Sequence, residues 1–251
     1  MKRAAPPARG VGGRAAGTRA TEARAAGTRA TETRAAGARA PAPRAAAGEG
    51  KGAGSNKVRI IAGQWRSRVI TFPDVPGLRP TADRVRGTLF NWLGQDLTGM
   101  RCLDLFAGSG ALGFEALSRN AKHVTMIERD ARARAALSQS ADILGAGSRL
   151  DSRLDIIGAD ALQFLLQCNG RHKTENQRSG SFDVVFCDPP FQQEWFAELW
   201  APLAGVLAEG GVVYAESAAE LHPPAPWQVH KSGRAGAVHY HLINIAAPET
   251  E

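Results

Sequence analysis

The sequence predicts an α/β fold: a doubly wound, mostly parallel, seven-stranded sheet with an antiparallel edge strand, preceded by a small N-terminal β-hairpin and helix extension. Three observations lead there. From Cys102 to Ala215, short apolar runs of strand character alternate strictly with runs of helical spacing, the pattern of parallel βαβ units with right-handed crossovers. The final strand candidates, residues 227–231 and 238–245, leave no room for a helix between them, so the last strand runs antiparallel as a hairpin partner. Residues 58–72 instead form two short strand-like runs around Gly63, ending before Pro73, which reads as a β-hairpin.

The elements follow in order. After Pro80, Thr81 can cap a helix whose apolar residues Val85, Leu89, Phe90, Trp92 and Leu93 recur at helical spacing and end near Gly94. Its exposed side is expected to carry Arg84 and Arg86. The strand candidates are then 102–106, 124–128, 154–158, 182–187 and 212–215, with helices starting at Gly110, Asp130, Ala161 and about Gln192, the last reaching Leu207. The polar run 169–181 reads as a longer loop before the fourth of these strands.

Composition divides the chain into a tail at 1–57, an extension at 58–100 and a main domain at 101–251. Hydrophobic residues make up 43% of the whole, yet the first 57 residues are built from Ala, Arg, Gly, Thr and Pro. A segment of that kind buries too little apolar surface to offset its conformational entropy, so disorder is expected. A ten-residue register runs through it at 15–24, 25–34 and 35–44, a low-complexity repeat too short for a solenoid unit. The tail holds 12 of the 31 basic residues and 3 of the 24 acidic ones, so the net charge of +7 is +9 from the tail and −2 from the rest. In the body, positive charge gathers before the first glycine-rich loop, at Arg59, Arg66, Arg68, Arg79, Arg84, Arg86 and Arg101. A locally basic face on a nearly neutral body suits a polyanion bound on one side.

Three cysteines, Cys102, Cys168 and Cys187, are odd in number and lack paired metal-ligand spacing. They read as buried thiols in a reducing compartment, and no metal site is expected. No run approaches the roughly 18 apolar residues of a membrane span, and no apolar block of a secretory signal is present. A cytoplasmic location is expected. The Arg-rich, acid-poor leader shares features with an organellar transit peptide, but its regular repetition with Pro, Gly and Glu favours a plain tail.

Asp104-Leu-Phe-Ala-Gly-Ser-Gly110 closes the first strand of the main domain and opens a helix, with glycines at 108, 110 and 113. Glycines there let the backbone approach a ligand that a Cβ would hold away. Glu128 ends the next strand, about 20 residues on, where a carboxylate can accept from ribose hydroxyls. Asp160 ends the third, at the lip of the same crevice, before Ala161, and suits an adenine amino group. Asp104 decides between a dinucleotide and S-adenosyl-L-methionine: a carboxylate opening the loop repels a pyrophosphate and attracts the sulfonium and ammonium of the latter. Asp104, Phe106, Ala107, Gly108, Gly110, Glu128, Asp160 and Ala161 are therefore the expected cofactor residues. Glu128 in a surface salt bridge and Asp160 as a helix cap are the structural alternatives.

Asp188-Pro-Pro-Phe191 follows the fourth strand. Adjacent prolines fix φ and remove N–H donors, so the segment presents its carbonyls rigidly. An exocyclic base amine is a poor nucleophile because its lone pair is delocalised into the ring. Acceptors at the Asp188 carboxylate and the Pro189 carbonyl would hold both its hydrogens and favour a pyramidal nitrogen. Phe191 offers a stacking face for an extruded base, an interaction of about 1 to 3 kcal/mol. Asp188, Pro189, Pro190 and Phe191 are thus the expected catalytic group.

The arginine-rich blocks Arg59-Ile-Ile-Ala-Gly-Gln-Trp-Arg66 and Gly77-Leu-Arg-Pro-Thr-Ala-Asp-Arg-Val-Arg86, the run Leu89-Phe-Asn-Trp-Leu93, the glycine loop 104–113 and Asp188-Pro-Pro-Phe191 together resemble the RsmD family of 16S rRNA guanine-N2 methyltransferases. The similarity covers residues 58–245. It implies a Rossmann-like class I S-adenosylmethionine methyltransferase and a guanine of 16S rRNA as acceptor within a partly assembled 30S particle; a monomer with no membrane partner is expected. It further implies RNA contact by Arg59, Arg66, Arg68, Arg79, Thr81, Arg84 and Arg86. Gly87 stands where the family usually carries Glu. Two other readings compete. A DNA adenine or cytosine amino methyltransferase would share Asp-Pro-Pro-aromatic, but the roughly 190-residue body leaves no room for a target-recognition domain. A non-enzymatic RNA-binding factor on the same fold would have no use for Asp104, Glu128, Asp160 and Asp188 together.

Overall fold

The computed structural model describes residues 55–75, 81–146, 152–171, 182–190 and 195–246. The leading repeats, Arg79, Phe191 and most of the polar run lie outside them.

The extension opens with β1 (Ser55–Arg59) and β2 (Val69–Pro73), paired antiparallel with Ser55 opposite Pro73 and Arg59 opposite Val69. Residues 55–57, expected in the tail, are therefore part of the first strand. The turn between the strands docks on helix α2 (Ala111–Ser118). Gly63 sits at φ +77°, and a Cβ there would lie 1.8 Å from the Ser118 carbonyl oxygen, so only glycine allows the approach. The Ser118 hydroxyl and carbonyl accept from the backbone N–H groups of Trp65 and Gln64. Glu115, fully buried in α2, accepts from the N–H groups of Ile61 at 2.8 Å and Ala62 at 3.0 Å and pairs with Arg119 at 2.8 Å. The Arg119 guanidinium in turn lies over the Phe90 ring, 4.5 Å from its centroid, a cation–π contact that helps a buried cation.

Helix α1 (Asp83–Leu93) ends on Gly94 in the left-handed conformation, as expected from sequence. Its N-cap is Ala82, without a side-chain cap, in place of Thr81. Thr81 is buried instead, and its hydroxyl donates to Asp188 Oδ2 at 3.3 Å. Arg86 also departs from expectation. It is completely buried, donating to the carbonyls of Thr81 and Arg59 and pairing with Asp83 at 2.7 Å. Apolar periodicity placed it on the solvent side, but the hairpin covers that side of the helix. A Cβ at Gly87 would meet nothing within 4 Å, so the glycine serves no packing need and costs this helix about 1 kcal/mol relative to Ala.

The main sheet has the order β5-β4-β3-β6-β7-β9-β8. Parallel strands are β3 (Arg101–Asp104), β4 (His123–Ile127), β5 (Leu154–Ile157), β6 (Phe182–Cys187) and β7 (Leu207–Ser217). At the far edge β9 (Val238–Ile245) runs antiparallel between β7 and the outermost β8 (Trp227–Ala235). Strand β7 is longer than expected because the preceding helix stops at Ala204 and the chain re-enters the sheet at Leu207. Sequential strands step outward from β3 to β5 and then return to β6 on the other side of β3. The chain thereby opens a crevice at the carboxyl ends of β3 and β6, where open α/β sheets bind ligands.

Two apolar cores flank the sheet. One joins Phe186 and Tyr214 to the hairpin, α1, α2 and α3 (Ala131–Leu144) through Ile60, Trp65, Phe90, Phe114 and Leu137. The other joins Leu103, Val185 and Val213 to α4 (Ala161–Arg171) and α5 (Trp195–Ala204) through Leu165, Leu199 and Leu203. The α3 start is fixed by Asp130, whose carboxylate accepts from the N–H groups of Arg132 and Ala133. Helix α4 takes up residues 169–171 of the run expected to be loop. Cys102 and Cys187 are buried thiols, pushed well above the usual thiol range by desolvation. Among the described residues no cluster could hold a metal, and no helix is long and apolar enough to cross a membrane.

Candidate active site

Backbone register decides which side chains meet. Asp104 lies opposite Phe186, and Phe186 opposite Tyr214. Side chains alternate faces along a strand, so Asp104, Phe186 and Tyr214 point to one side, that of the hairpin and α1. Cys187 pairs with Ala215, and the next residues, Asp188 just past the end of β6 and Glu216 near the end of β7, lie side by side on the same face. The outcome is a cavity of about 720 Å³ lined by Asp104, Asp188 and Glu216 and by Thr81 from the extension.

Most expected cofactor residues line this cavity: Asp104, Phe106, Ala107, Gly108, Glu128, Asp160 and Ala161. Gly110 does not. It starts α2 at φ +77°, where a Cβ would lie 2.5 Å from Phe114, so it shapes the loop from beneath. Asp104 Oδ2 accepts the Gly113 N–H at 3.0 Å, locking the strand to the helix that follows the loop. Glu128 spans the loop with both oxygens, accepting from Gly108 N–H at 2.9 Å and Asp130 N–H at 2.7 Å. It therefore fixes the glycine backbone and is not a surface salt bridge. Asp160 Oδ1 accepts from the N–H groups of Leu162 and Gln163, so it caps α4 while facing the cavity. Pro189 and Pro190 line the opposite wall.

Trp195 and Glu216 also line the cavity and were not singled out from sequence. Trp195 packs its ring edge-on to Phe106 at 5.3 Å and leaves its indole N–H without a partner among the described residues. Glu216 is 4% exposed, and its Oε1 accepts the Tyr214 hydroxyl at 2.7 Å. The signal for Glu216 was present in Val212-Val-Tyr-Ala-Glu216: an acid near the end of a strand, in phase with Tyr214.

Electrostatically the cavity is a buried anionic centre. Burial raises Asp104 to about 7, with the nearby Glu128 charge adding to it and the Gly113 hydrogen bond opposing it. Burial holds Asp188 well above the usual carboxylate range, and the charges of Glu216 and Asp104 push the same way. Glu216 is raised by burial, against hydrogen bonds from Tyr214 and Thr81. Among the described residues none of the three acids has a salt-bridge partner. The Arg86 charge partly offsets that of Glu216, and a cluster of buried acids in a cleft marks a place for a cation and for hydrogen-bond donors. A glycine-lined loop beside an acid at a strand end suits a cationic nucleoside such as S-adenosylmethionine.

The expected RNA residues separate. Arg59, Arg66, Arg68 and Arg84 are exposed, with the Arg68 guanidinium donating to the Ile143 carbonyl. Lys57, Arg59, Val69, Thr81 and Asp83 line a second groove of about 350 Å³. Thr81 borders both spaces. Arg86 is withdrawn from any outer surface and instead braces the Thr81 carbonyl from within.

A family profile described as conserved hypothetical protein 95 matches residues 58–244. Ribosomal RNA small subunit methyltransferase D of Escherichia coli K12 is 42% identical over 200 residues, covering 78% of this chain and 93% of that protein. The solved structure of the putative methyltransferase yhhF from Escherichia coli superposes with a TM-score of 0.63 at 40% identity, over 76% of this chain and 99% of that one. A putative SAM-dependent methyltransferase from Streptococcus mutans shares the fold at 14% identity, with a TM-score of 0.57 over 75% of this chain and 55% of its own. The chain belongs to the conserved hypothetical protein 95 family, that of ribosomal RNA small subunit methyltransferase D, and is built on the Rossmann-like class I S-adenosylmethionine methyltransferase fold.

Proposed function

We propose that this protein transfers the methyl group of S-adenosyl-L-methionine to the exocyclic N2 amine of a guanine in 16S rRNA, as a cytoplasmic monomer acting on an assembling 30S subunit. The name of the Escherichia coli relative supports the substrate class. The observation that carries the reading is the position of Asp188, on the same face and in the same cavity as Asp104, with Thr81 holding its carboxyl.

When bound, the cofactor supplies an electrophilic methyl group on a positively charged sulfur. Asp104 would attract that charge, Glu128 would accept from the ribose hydroxyls and Asp160 from the adenine amino group. Asp188 and the Pro189 carbonyl accept hydrogen bonds from the base amine, which matter most as positive charge grows on nitrogen. The ionised Asp188 carboxylate, facing the same cavity, would accept the proton that the amine releases on methylation. Phe191 stacks on the base. Arg59, Arg66, Arg68, Arg79 and Arg84 bind phosphates, and the groove at Arg59 leads the strand toward Thr81.

Mass spectrometry of nucleosides after incubation with labelled cofactor tests this. N2-methylguanosine is expected from small subunits or their RNA, whereas product confined to duplex DNA removes the ribosomal reading. Calorimetry that shows no heat with S-adenosylmethionine removes the enzyme.

Asp104 makes cofactor affinity depend on pH. Its folded pKa is raised to about 7, so it is protonated below that and the free protein loses stability as pH rises from the usual carboxylate range toward 7. A cationic cofactor binds the ionised form. Its affinity should therefore weaken by roughly tenfold per pH unit below about 7 and level off above. Calorimetry from about pH 6 to 8 should show that slope, and Asp104→Asn should flatten it while weakening binding. A pH-independent wild type contradicts the assignment.

A further inference from the structure

Glu216 has no part in the chemistry described so far, yet it is buried, faces the reaction cavity and lies beside the residue proposed to hold the amine. Its Oε1 is occupied by the Tyr214 hydroxyl. That contact orients the carboxyl, which has lone pairs left to accept from another group. No described cation pairs with it directly, the Arg86 charge acting on it from further off. The Thr81 hydroxyl lies within reach of both acids and has one proton to give, so it can serve Asp188 Oδ2 or Glu216 but not both at once. The site therefore offers two neighbouring carboxyl groups on one wall, with more acceptor positions than Tyr214 and Thr81 have protons to fill.

We propose that Glu216 sets the acceptor-base specificity of this site, its carboxylate taking the N1–H of guanine while Asp188 takes the adjacent N2–H. The proposal rests on the reading that the acceptor is a guanine amine. Guanine presents N1–H and N2–H side by side as donors. Adenine and cytosine present a ring-nitrogen acceptor beside their amine, and that lone pair would face the carboxylate. A buried acceptor left without its donor is costly, which is how polar sites reject near-isosteres. The pair thus discriminates by donor pattern, separately from the chemistry at the amine.

The test uses the full chain and small-subunit RNA carrying 2-aminopurine in place of the guanine that the wild type methylates. This analogue keeps the N2 amine but replaces N1–H with a lone pair. Wild type is expected to methylate it at least about tenfold more slowly in kcat/KM than guanine. In Glu216→Gln, the Tyr214 hydroxyl donating to the amide oxygen leaves the NH2 group facing N1. That variant should lose about tenfold or more on guanine and gain on 2-aminopurine, compressing or inverting the ratio. Its melting temperature should match or exceed that of wild type, since a buried charge is removed. Equal wild-type rates on the two bases overturn the proposal without needing the variant. An unchanged ratio in a folded Glu216→Gln also overturns it, leaving Glu216 as a partner of Tyr214 alone. Absence of N2-methylguanosine from wild-type reactions overturns the functional reading itself, a separate outcome.

Discussion

Asp188→Ala should lower kcat by about 10²-fold or more with cofactor affinity changed by no more than a few-fold, the scale expected for losing one preorganised transition-state contact. The residue sits where β6 ends, held by Thr81 at 3.3 Å and followed by two prolines. Its carboxyl is therefore placed before the base arrives, and little reorganisation is left for the reaction to drive. Cofactor affinity should survive because the residues proposed for that task, Asp104, Glu128 and Asp160, sit at the ends of other strands. Asp188→Asn separates two roles: the amide oxygen can still accept a hydrogen bond but cannot take the proton at neutral pH. Its turnover should fall between wild type and Ala. Single-turnover rates read the effect, and a near-normal Asp188→Ala rate contradicts the proposed role.

Glu115→Ala should cost about 3 to 5 kcal/mol of folding stability, because it strands a buried cation and two amides at once. Arg119 is 3% exposed and would keep its charge without its carboxylate, and the Ile61 and Ala62 N–H groups would lose their acceptor. Urea denaturation measures the loss, and hydrogen exchange at Ile61 and Ala62 should accelerate beyond the change in global stability as the turn lifts from α2. Glu115→Gln keeps one acceptor and should cost less. A loss below about 1 kcal/mol would show that the hairpin is held by its apolar contacts alone. The functional consequence is direct, since the docked hairpin covers Arg86, which braces Thr81 against Asp188.

The sequence made the main sheet legible in detail. Strand 182–187 matches β6 at both ends, and Asp104, Glu128, Asp160 and Asp188 all face one cavity. These features rest on local rules: alternation of strand and helix runs, glycines after a strand, acids at strand ends. Less was legible where a residue's environment depends on a distant segment. Arg84 and Arg86 are two positions apart on one helix, yet one is exposed and the other sealed beneath the hairpin. Glu115 reads as an ordinary helix-surface acid until the turn of the extension lands on it.

The amino-acid order by itself determined the run of strands and helices, the glycine loop and the strand ends that carry the acids, because each is set by contacts within a few residues. Packing between segments far apart in the chain decided the rest: Glu216 beside Asp188, Thr81 turned inward, Arg86 and Glu115 buried with partners more than twenty residues away. The physical reason is that an ionisable side chain takes its role from what removes its water, and that is settled only when separate segments close over it.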